Sequence, residues 1–439
     1  MSAVKSVKKV LYNGAKTCAF AVMRRCPPLR KKLRQVVWGR RTKRYAALAN
    51  SVETKEHTVL FASFKGRSYS CSPRALFELM QADERYADFT FYWAFLENSI
   101  EKYRYLEGKY RNLTLVTVGS DEFYRALAQS SHWIVNSRIA EHLIPKKDQV
   151  YVQCWHGTPL KRLGFDIVSG TTSALSSTEE SADRYRLEAS KWSYLVSPSR
   201  FTSECLASAF DLDARWAKEN ILEIGYPRND SIVNVCKDEQ ALAALKDRLA
   251  CELGFDAGKR LLLYAPTWRD NEYKSGVGYV QDVMIDFDLL QQHLGDEWVV
   301  LFRPHYFVAN EFDFAKYEGF IANAAHVADI NELYCIADVL MTDYSSVFFD
   351  YACTGRPMVF FQPDLADYQD HVRGFYLDPV ADLPGPHCES SVEVVEAIEG
   401  ISSYFDDYAE RYEVFRQRFC PMEDGRAAER LAERLFGRH

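Results

Sequence analysis

Two successive series of near-continuous apolar runs constrain this 439-residue chain more than any other feature. The first comprises HTVLFASF (57–64), FTFYWAFL (89–96), LTLVTV (113–118), HWIVN (132–136), VYVQCW (150–155), SYLVSPS (193–199) and ILEIGY (221–226). The second comprises RLLLYAPT (260–267), EWVVLFRPH (297–305), AHVAD (325–329), VLMTD (339–343) and PMVFFQPD (357–364). Runs that are apolar on both faces belong in parallel sheets covered by helices, whereas half-exposed strands alternate. Helical patterns such as PRALFELMQ, EFYRALAQ, INELYCIA, SSVFFDYACTG and SVEVVEAIEG lie between them. The length also exceeds one ordinary core. The pattern predicts an α/β protein of two doubly wound, Rossmann-like domains at 55–230 and 235–400, joined near 227–240, with C-terminal helices at 401–439.

Residues 1–50 stand apart, with 14 Lys or Arg and no acid, against 40 bases and 61 acids in the remainder. Val4, Val7, Val10, Leu11, Phe20 and Met23 can share a helical stripe flanked by Lys5, Lys8, Lys9 and Lys16. A basic amphipathic leader suits an anionic membrane surface, where each cation contributes about 1 kcal/mol. A disordered basic tail or a nucleic-acid arm is the competing reading; nucleic acid is not the expected partner. No apolar stretch is long enough to span a bilayer, and no apolar core precedes a signal cleavage site. The eleven cysteines show no CxxC or zinc spacing and read as small buried hydrophobes in a reducing compartment, which favours the cytoplasmic side.

Ligands of doubly wound sheets gather at the carboxyl ends of strands. The residues found there are Ser63 to Arg67, Asn136 to Arg138, His156 to Pro159, Ser197 to Arg200, Gly225 to Arg228, Thr267 to Arg269, Arg303 to His305 and Asp343 to Ser346. That set is rich in Arg, Ser, Gly and His, the chemistry of phosphate groups and proton transfer. His156 in WHGTPLK and His305 in FRPH each follow a strand, one per domain; an imidazole there serves as base or donor, or merely packs. Thr158 and Pro159 are expected to start a helix. Arg303 and His305 flank a proline and would point the same way, suiting a pyrophosphate. Ser345 and Ser346 precede a helix and are either an anion site or an N-cap. Asp343 is expected to orient a neighbour or accept from a hydroxyl. Asp329 and Glu332 have capping-box spacing, with Glu332 alternatively accepting from ribose. Thr267 and Arg269 follow a strand, and Lys65 and Arg67 lie in a basic Gly/Ser loop that lacks the P-loop pattern. Lys161 and Arg162 follow WHGTP. GxGxxG, HExxH and GxSxG are absent, and the DFD at 286–288 opens a helix, so neither a metal nor a cofactor is expected.

The ordered run WHGTPLK, SPSRFTSE, IGYPRND, LLYAPTWR, FRPH and DINELYCIADVLMTDYSSVFFDYACTGRPMVFF strongly resembles the CDP-glycerol glycerophosphotransferase family over about 57–390. The loop SFKGRSYSCSPRALFE resembles it too, although Cys71 stands where the family usually has an acidic or amide residue. The resemblance implies a GT-B architecture, two Rossmann-like domains facing a central cleft. It implies transfer of an alditol phosphate from CDP-glycerol or CDP-ribitol to a lipid-linked polyanionic acceptor, with CMP leaving, at the cytoplasmic membrane face. Carried over by position, His156 is the expected base. Arg303, His305, Ser345 and Ser346 are expected at the donor pyrophosphate, and Glu332 near the ribose. Lys65, Arg67, Lys161 and Arg162 would suit the acceptor. A GT-B glycosyltransferase using a nucleotide sugar, and a non-catalytic membrane-associated module that binds teichoic acid, are the alternatives.

Overall fold

The computed structural model describes residues 27–167, 178–267, 273–274, 278–279, 284–304, 312–365 and 374–437. The leader's stripe from Val4 to Met23, and Arg269 and His305, lie outside them. The first sheet contains β1 (Lys55–Ala62), β2 (Thr90–Phe95), β3 (Leu113–Thr117), β4 (Ser130–Val135), β5 (Val150–Gln153), β6 (Tyr194–Ser197) and β7 (Ile221–Glu223). Its order is β3-β2-β1-β4-β5-β6-β7, and every neighbouring pair is parallel. After β8 (Arg260–Ala265), β9 (Tyr273–Lys274) and β10 (Gly278–Tyr279) form a separate antiparallel pair. β8 instead joins β11 (Trp298–Phe302), β12 (Ile321–Asn323), β13 (Val339–Thr342), β14 (Met358–Phe361) and β15 (His387–Cys388) in the order β12-β11-β8-β13-β14-β15, again all parallel.

The apolar runs explain the layers. β8 buries every residue after Arg260 and β11 buries all of its residues, as central strands covered on both faces must. In each sheet the first strand lies beside the fourth of the order, β1 next to β4 and β8 next to β13. The chain reverses its progress across the sheet there, and the diverging loops leave a crevice at the carboxyl ends. The architecture is the two-domain, GT-B type.

Two local expectations change, and one strand is added. AHVAD is not a strand: the edge strand β12 ends at Asn323, and the following carbonyls of Ala324 and Val327 accept from Arg303 instead of a ladder. β15 was not foreseen, because a two-residue edge strand carries no periodic signal. Thr158 and Pro159 start no helix. Here the Leu160 carbonyl accepts from the Tyr376 amide at 2.9 Å and the Arg162 amide donates to the Gly374 carbonyl at 2.9 Å, so cross-domain pairing uses the groups a helix would need.

The C-terminal helices divide between the domains. Helix Tyr404–Phe419 buries Tyr412, Phe415 and Phe419 in the second core. Helix Ala427–Phe436 returns to the first core through Leu431 and Ala432. Its first amides, Ala427 and Ala428, donate to the Asp230 carboxylate at 2.8 and 2.7 Å. Upstream, helix Pro27–Asn50 rests on helix Asp121–Gln129 through Tyr45, whose ring lies 6.1 Å from that of Tyr124. No helix among the described residues is long and apolar enough to cross a membrane.

Candidate active site

His156 lies where β5 ends against the crevice beside β4. Cys154 and Trp155 still alternate into opposite cores. Trp155 then takes a left-handed conformation, φ 51°, which is unusual for so bulky a side chain. Its amide is held by Gln153 Oε1 at 3.0 Å, and its ring packs edge-on against Phe210 at 5.3 Å. The turn leaves His156 exposed, beside Gly157, which meets Ser346 of the second domain. Nδ1 lies 2.7 Å from the Asn136 carbonyl, which only accepts, so Nδ1 carries the proton and Nε2 keeps its lone pair. Loss of hydration pushes the imidazole down to about 4, with Arg228, Arg138 and Lys65 adding and the Asn136 bond opposing. At neutral pH it is a neutral base.

The loop after β1 is pinned to the same crevice. The Phe64 amide donates to Asn136 Oδ1 at 2.7 Å and the Lys65 amide to Ser137 Oγ at 3.0 Å. Phe64, Lys65 and Gly66 are left-handed in succession, with φ of 47°, 61° and 87°. Gly66 is required: a Cβ there would lie 2.9 Å from Val118 Cγ2 and 3.0 Å from the Leu96 nitrogen. Lys65 and Arg67 project into solvent from this loop. Cys71 is also left-handed, φ 63°, and its sulfur receives Arg228 Nη1 at 3.8 Å.

The second sheet presents its own crevice. Asp343 Oδ1 accepts from the Thr267 amide at 2.8 Å, joining the ends of β13 and β8 across the switch point. Arg303 Nη1 donates to the carbonyls of Ala324 and Val327 at 2.8 and 2.9 Å, and burial lowers its pKa. Ser346 precedes the short helix Val347–Tyr351 and makes no side-chain cap bond. Its hydroxyl instead lies against Gly157 of the first domain, where a Cβ would come within 3.3 Å. Asp329 caps helix Ile330–Ile336 by accepting from the Asn331 amide at 3.2 Å, but Glu332 does not complete a capping box; it pairs with Arg248 at 3.0 Å. Asp286 of the DFD caps helix Phe287–Leu294 through the Leu289 amide at 3.0 Å. Among the described residues no three His, Cys, Asp or Glu converge as metal ligands.

Arg228, left without a role by sequence reading, is the centre of the domain junction. It is 6% exposed and pairs with Asp350 of the second domain at 2.8 Å. Asn229 Nδ2 donates to the same Asp350 oxygen at 3.1 Å and to Glu423 Oε1 at 3.0 Å. Burial pushes the Glu423 carboxyl up to about 8, leaving Asp350 as the counter-charge. The Arg228 carbonyl accepts from Asn331 Nδ2 at 2.6 Å. An interdomain cavity of about 220 Å³ opens beside it, lined by Cys71, Arg74, Arg228, Asp329 and Glu332 among others, with Arg74 bridging to Asp329 at 3.5 Å. Arg162 lies in a second junction: its Nε donates to the Phe375 carbonyl at 3.2 Å and its guanidinium lies 5.7 Å from the Tyr376 ring. Lys161 pairs with Phe375 as an isolated antiparallel bridge. The signal for Arg228 and Arg138 was their place just after strands; nothing in sequence ranked them above other strand-end residues.

The geometry joins a neutral base with an open lone pair, cations around it, and a hydroxyl-bearing loop of the other domain. That combination suits proton removal from a hydroxyl beside phosphate. The chain is 37% identical over 390 residues to the teichoic acid poly(glycerol phosphate) polymerase of Staphylococcus epidermidis, covering 86% of this chain and 50% of that protein. It thus spans about half that relative's length. It is 34% identical to the teichoic acid glycerol-phosphate transferase of Staphylococcus aureus, covering 87% of this chain and 93% of the relative. The solved wall teichoic acid polymerase TagF superposes with a TM-score of 0.79 at 35% identity, over 92% of this chain and 96% of that one. Residues 45–437 match the family model described as CDP-Glycerol:Poly(glycerophosphate) glycerophosphotransferase, and the chain belongs to that family.

Proposed function

We propose that the protein transfers glycerol phosphate from CDP-glycerol to the hydroxyl of a lipid-linked acceptor, releasing CMP, at the cytoplasmic face of a membrane. The observation that carries this reading is the exposed His156 ring, whose Nδ1 proton is held by the Asn136 carbonyl so that Nε2 keeps its lone pair. Family membership and the names of the relatives support the donor class. Relatives named as poly(ribitol-phosphate) polymerases match less well, at 29% identity in one case, which favours glycerol.

The acceptor oxygen attacks the phosphorus that bears glycerol, the bond from that phosphorus to the CMP oxygen breaks, and CMP leaves with the electron pair. His156 Nε2 takes the hydroxyl proton, a contribution of about 10²–10⁴-fold for a positioned base. Arg303, Ser345 and Ser346, with His305, hold the donor diphosphate. Thr267 and Asp343 shape the same edge, Arg269 is assigned to the donor from its place in APTWRDN alone, and Glu332 accepts from the ribose while sharing Arg248. Lys65, Arg67, Lys161 and Arg162 are the acceptor-side cations expected from sequence, although Arg162 also braces residues 374–376. The basic leader and helix Pro27–Asn50 bring this machinery to an anionic surface.

The test is CMP release by purified protein given CDP-glycerol or CDP-ribitol and a lipid-linked glycerol-phosphate acceptor on anionic vesicles, with His156→Ala alongside. Release from CDP-glycerol that collapses in the variant supports the reading. No release from either donor overturns it, and equal release in the variant removes His156 as the base.

A further inference from the structure

The loop that carries His156 is fastened to the second domain at two points. Beside the ring, a Cβ on Gly157 would lie 3.3 Å from the Ser346 hydroxyl oxygen. A few residues further on, Leu160 is buried within the second domain's core. From there the chain runs alongside residues 374–376, with the Tyr376 amide donating to the Leu160 carbonyl and the Arg162 amide to the Gly374 carbonyl, each at 2.9 Å. The Tyr376 hydroxyl closes this pairing: it donates to Asp166 Oδ2 and accepts from the Leu163 amide at 3.3 Å. The other carboxylate oxygen of Asp166 accepts from the Ser208 hydroxyl at 2.5 Å, on helix Arg200–Ala209 of the first domain. Gly164 seats the turn on the same helix, with φ 51° and no room for a Cβ, which would overlap the Ala209 carbonyl oxygen.

Joining the domains does not by itself require this arrangement. Arg228 and Asn229, both bonded to Asp350, already hold the two together elsewhere. The Tyr376–Asp166 bond adds a fixed position. Asp166 is held on both oxygens, one by the first domain and one by the second. Burial, and then the bond to Asp166, raises the Tyr376 phenol pKa, so the hydroxyl keeps the proton it donates. The other side of the same strap reaches the donor edge. The Phe375 ring lies 6.1 Å from that of Tyr344, the residue before Ser345, and the Tyr344 hydroxyl donates to Asp364 at 3.1 Å. Residues 374–376 therefore tie together the loop of the base, through Leu160 to Leu163, and the donor-side serines, through Tyr344.

We infer that Tyr376 and Asp166 are positioning residues, whose bond fixes the WHGTP loop against the donor edge and so sets the distance between His156 Nε2 and the hydroxyl it deprotonates. They act through His156 rather than on substrate. This rests on His156 being the base of the transfer proposed above, and deepens that reading. Sequence reading assigned neither residue.

The test is CMP release by the full chain with CDP-glycerol and the lipid-linked acceptor, comparing Tyr376→Phe in the wild-type and His156→Ala backgrounds, the latter under enzyme excess so that its slow residual rate is readable. Tyr376→Phe should lower kcat by about tenfold, within the roughly 10²-fold that a 1 Å misplacement can cost, while both KM values change by less than about twofold. In the His156→Ala background the same substitution should change the residual rate by less than about twofold, because no base remains to be displaced. Asp166→Asn, whose amide oxygen still accepts, should keep more activity than Asp166→Ala, and this pair carries the test if Tyr376→Phe does not fold. Wild-type kcat in Tyr376→Phe, an equal loss in both backgrounds, or a raised donor KM at unchanged kcat overturns the positioning role. No CMP release by wild type, or full release by His156→Ala, overturns the reading of His156 as the base instead.

Discussion

Gly157 of the first domain and Ser346 of the second approach so closely that a Cβ on Gly157 would lie 3.3 Å from the serine hydroxyl oxygen. Gly157 does not need left-handed freedom, so alanine there is a test of space alone. Gly157→Ala should leave the thermal midpoint nearly unchanged but push Ser346 away from the base. Because a misplacement near 1 Å can cost about 10²-fold, a fall in kcat between about tenfold and that limit is expected. Gly157→Ala with Ser346→Gly should reopen the gap; steady-state CMP release by the two variants checks whether spacing or the hydroxyl matters more.

The pH profile should separate free from donor-bound enzyme. His156 is pushed down to about 4 by lost hydration and then by Arg228, Arg138 and Lys65. The donor's phosphates cancel part of that positive field, so binding should raise the imidazole pKa. The acid limb of donor kcat/KM, which reports free enzyme, should therefore fall at lower pH than the acid limb of kcat. Stability carries the same sign. The unfolded chain holds the proton up to 6.5 and the folded chain only to about 4, so this group lowers stability as pH falls through that window. His156→Gln should flatten that slope in urea titrations at about pH 7 and about pH 5.

The fold was legible because buried parallel strands are apolar throughout, and runs such as RLLLYA and WVVLF need no neighbour to be recognised. The site was legible only as strand ends. His156 and Asp343 appeared there because a sheet of this kind exposes those positions. Arg228 did not stand out, since its role depends on Asp350, 122 residues away, and no periodicity links them. The absence of a helix after Pro159 was illegible for the same reason: Gly374 and Tyr376 supply the competing backbone partners from the other domain.

Arg303 should prove both scaffold and ligand. Removing it deprives the carbonyls of Ala324 and Val327 of their donor. Each buried acceptor left unsatisfied costs about 1–3 kcal/mol. Arg303→Ala should lower the thermal midpoint and raise donor KM together. Arg303→Lys keeps the charge but not the forked geometry, and should recover donor KM more than stability.

Membrane attachment should be electrostatic in its described part. Helix Pro27–Asn50 exposes Arg40, Arg41, Lys43 and Arg44 while Tyr45 and Ala49 are buried. With about 1 kcal/mol per cation at an anionic surface, changing all four to Gln should weaken vesicle binding by more than about 10²-fold. Co-sedimentation with anionic and neutral vesicles over a salt series measures it. Salt-insensitive binding would assign attachment elsewhere.

The Arg228–Asp350 pair should show the asymmetry of a buried charge pair across a domain junction. Both groups are nearly excluded from water, the side chains being 6% and 12% exposed at a separation of 2.8 Å. Asp350→Ala strands a guanidinium whose remaining neighbours include the Tyr226 ring at 4.3 Å and the Cys71 thiol, neither of which neutralises it. Breaking one side of such a pair costs about 3–5 kcal/mol, whereas replacing both partners with apolar groups is often neutral. Arg228→Met with Asp350→Leu should therefore be more stable in denaturant than Asp350→Ala alone. Catalysis should separate from stability in that double variant. Removing Arg228 takes a positive charge away from His156, so its kcat/KM acid limb should move to higher pH even where folding is restored. A double variant with unchanged pH dependence would confine Arg228 to holding the domains together.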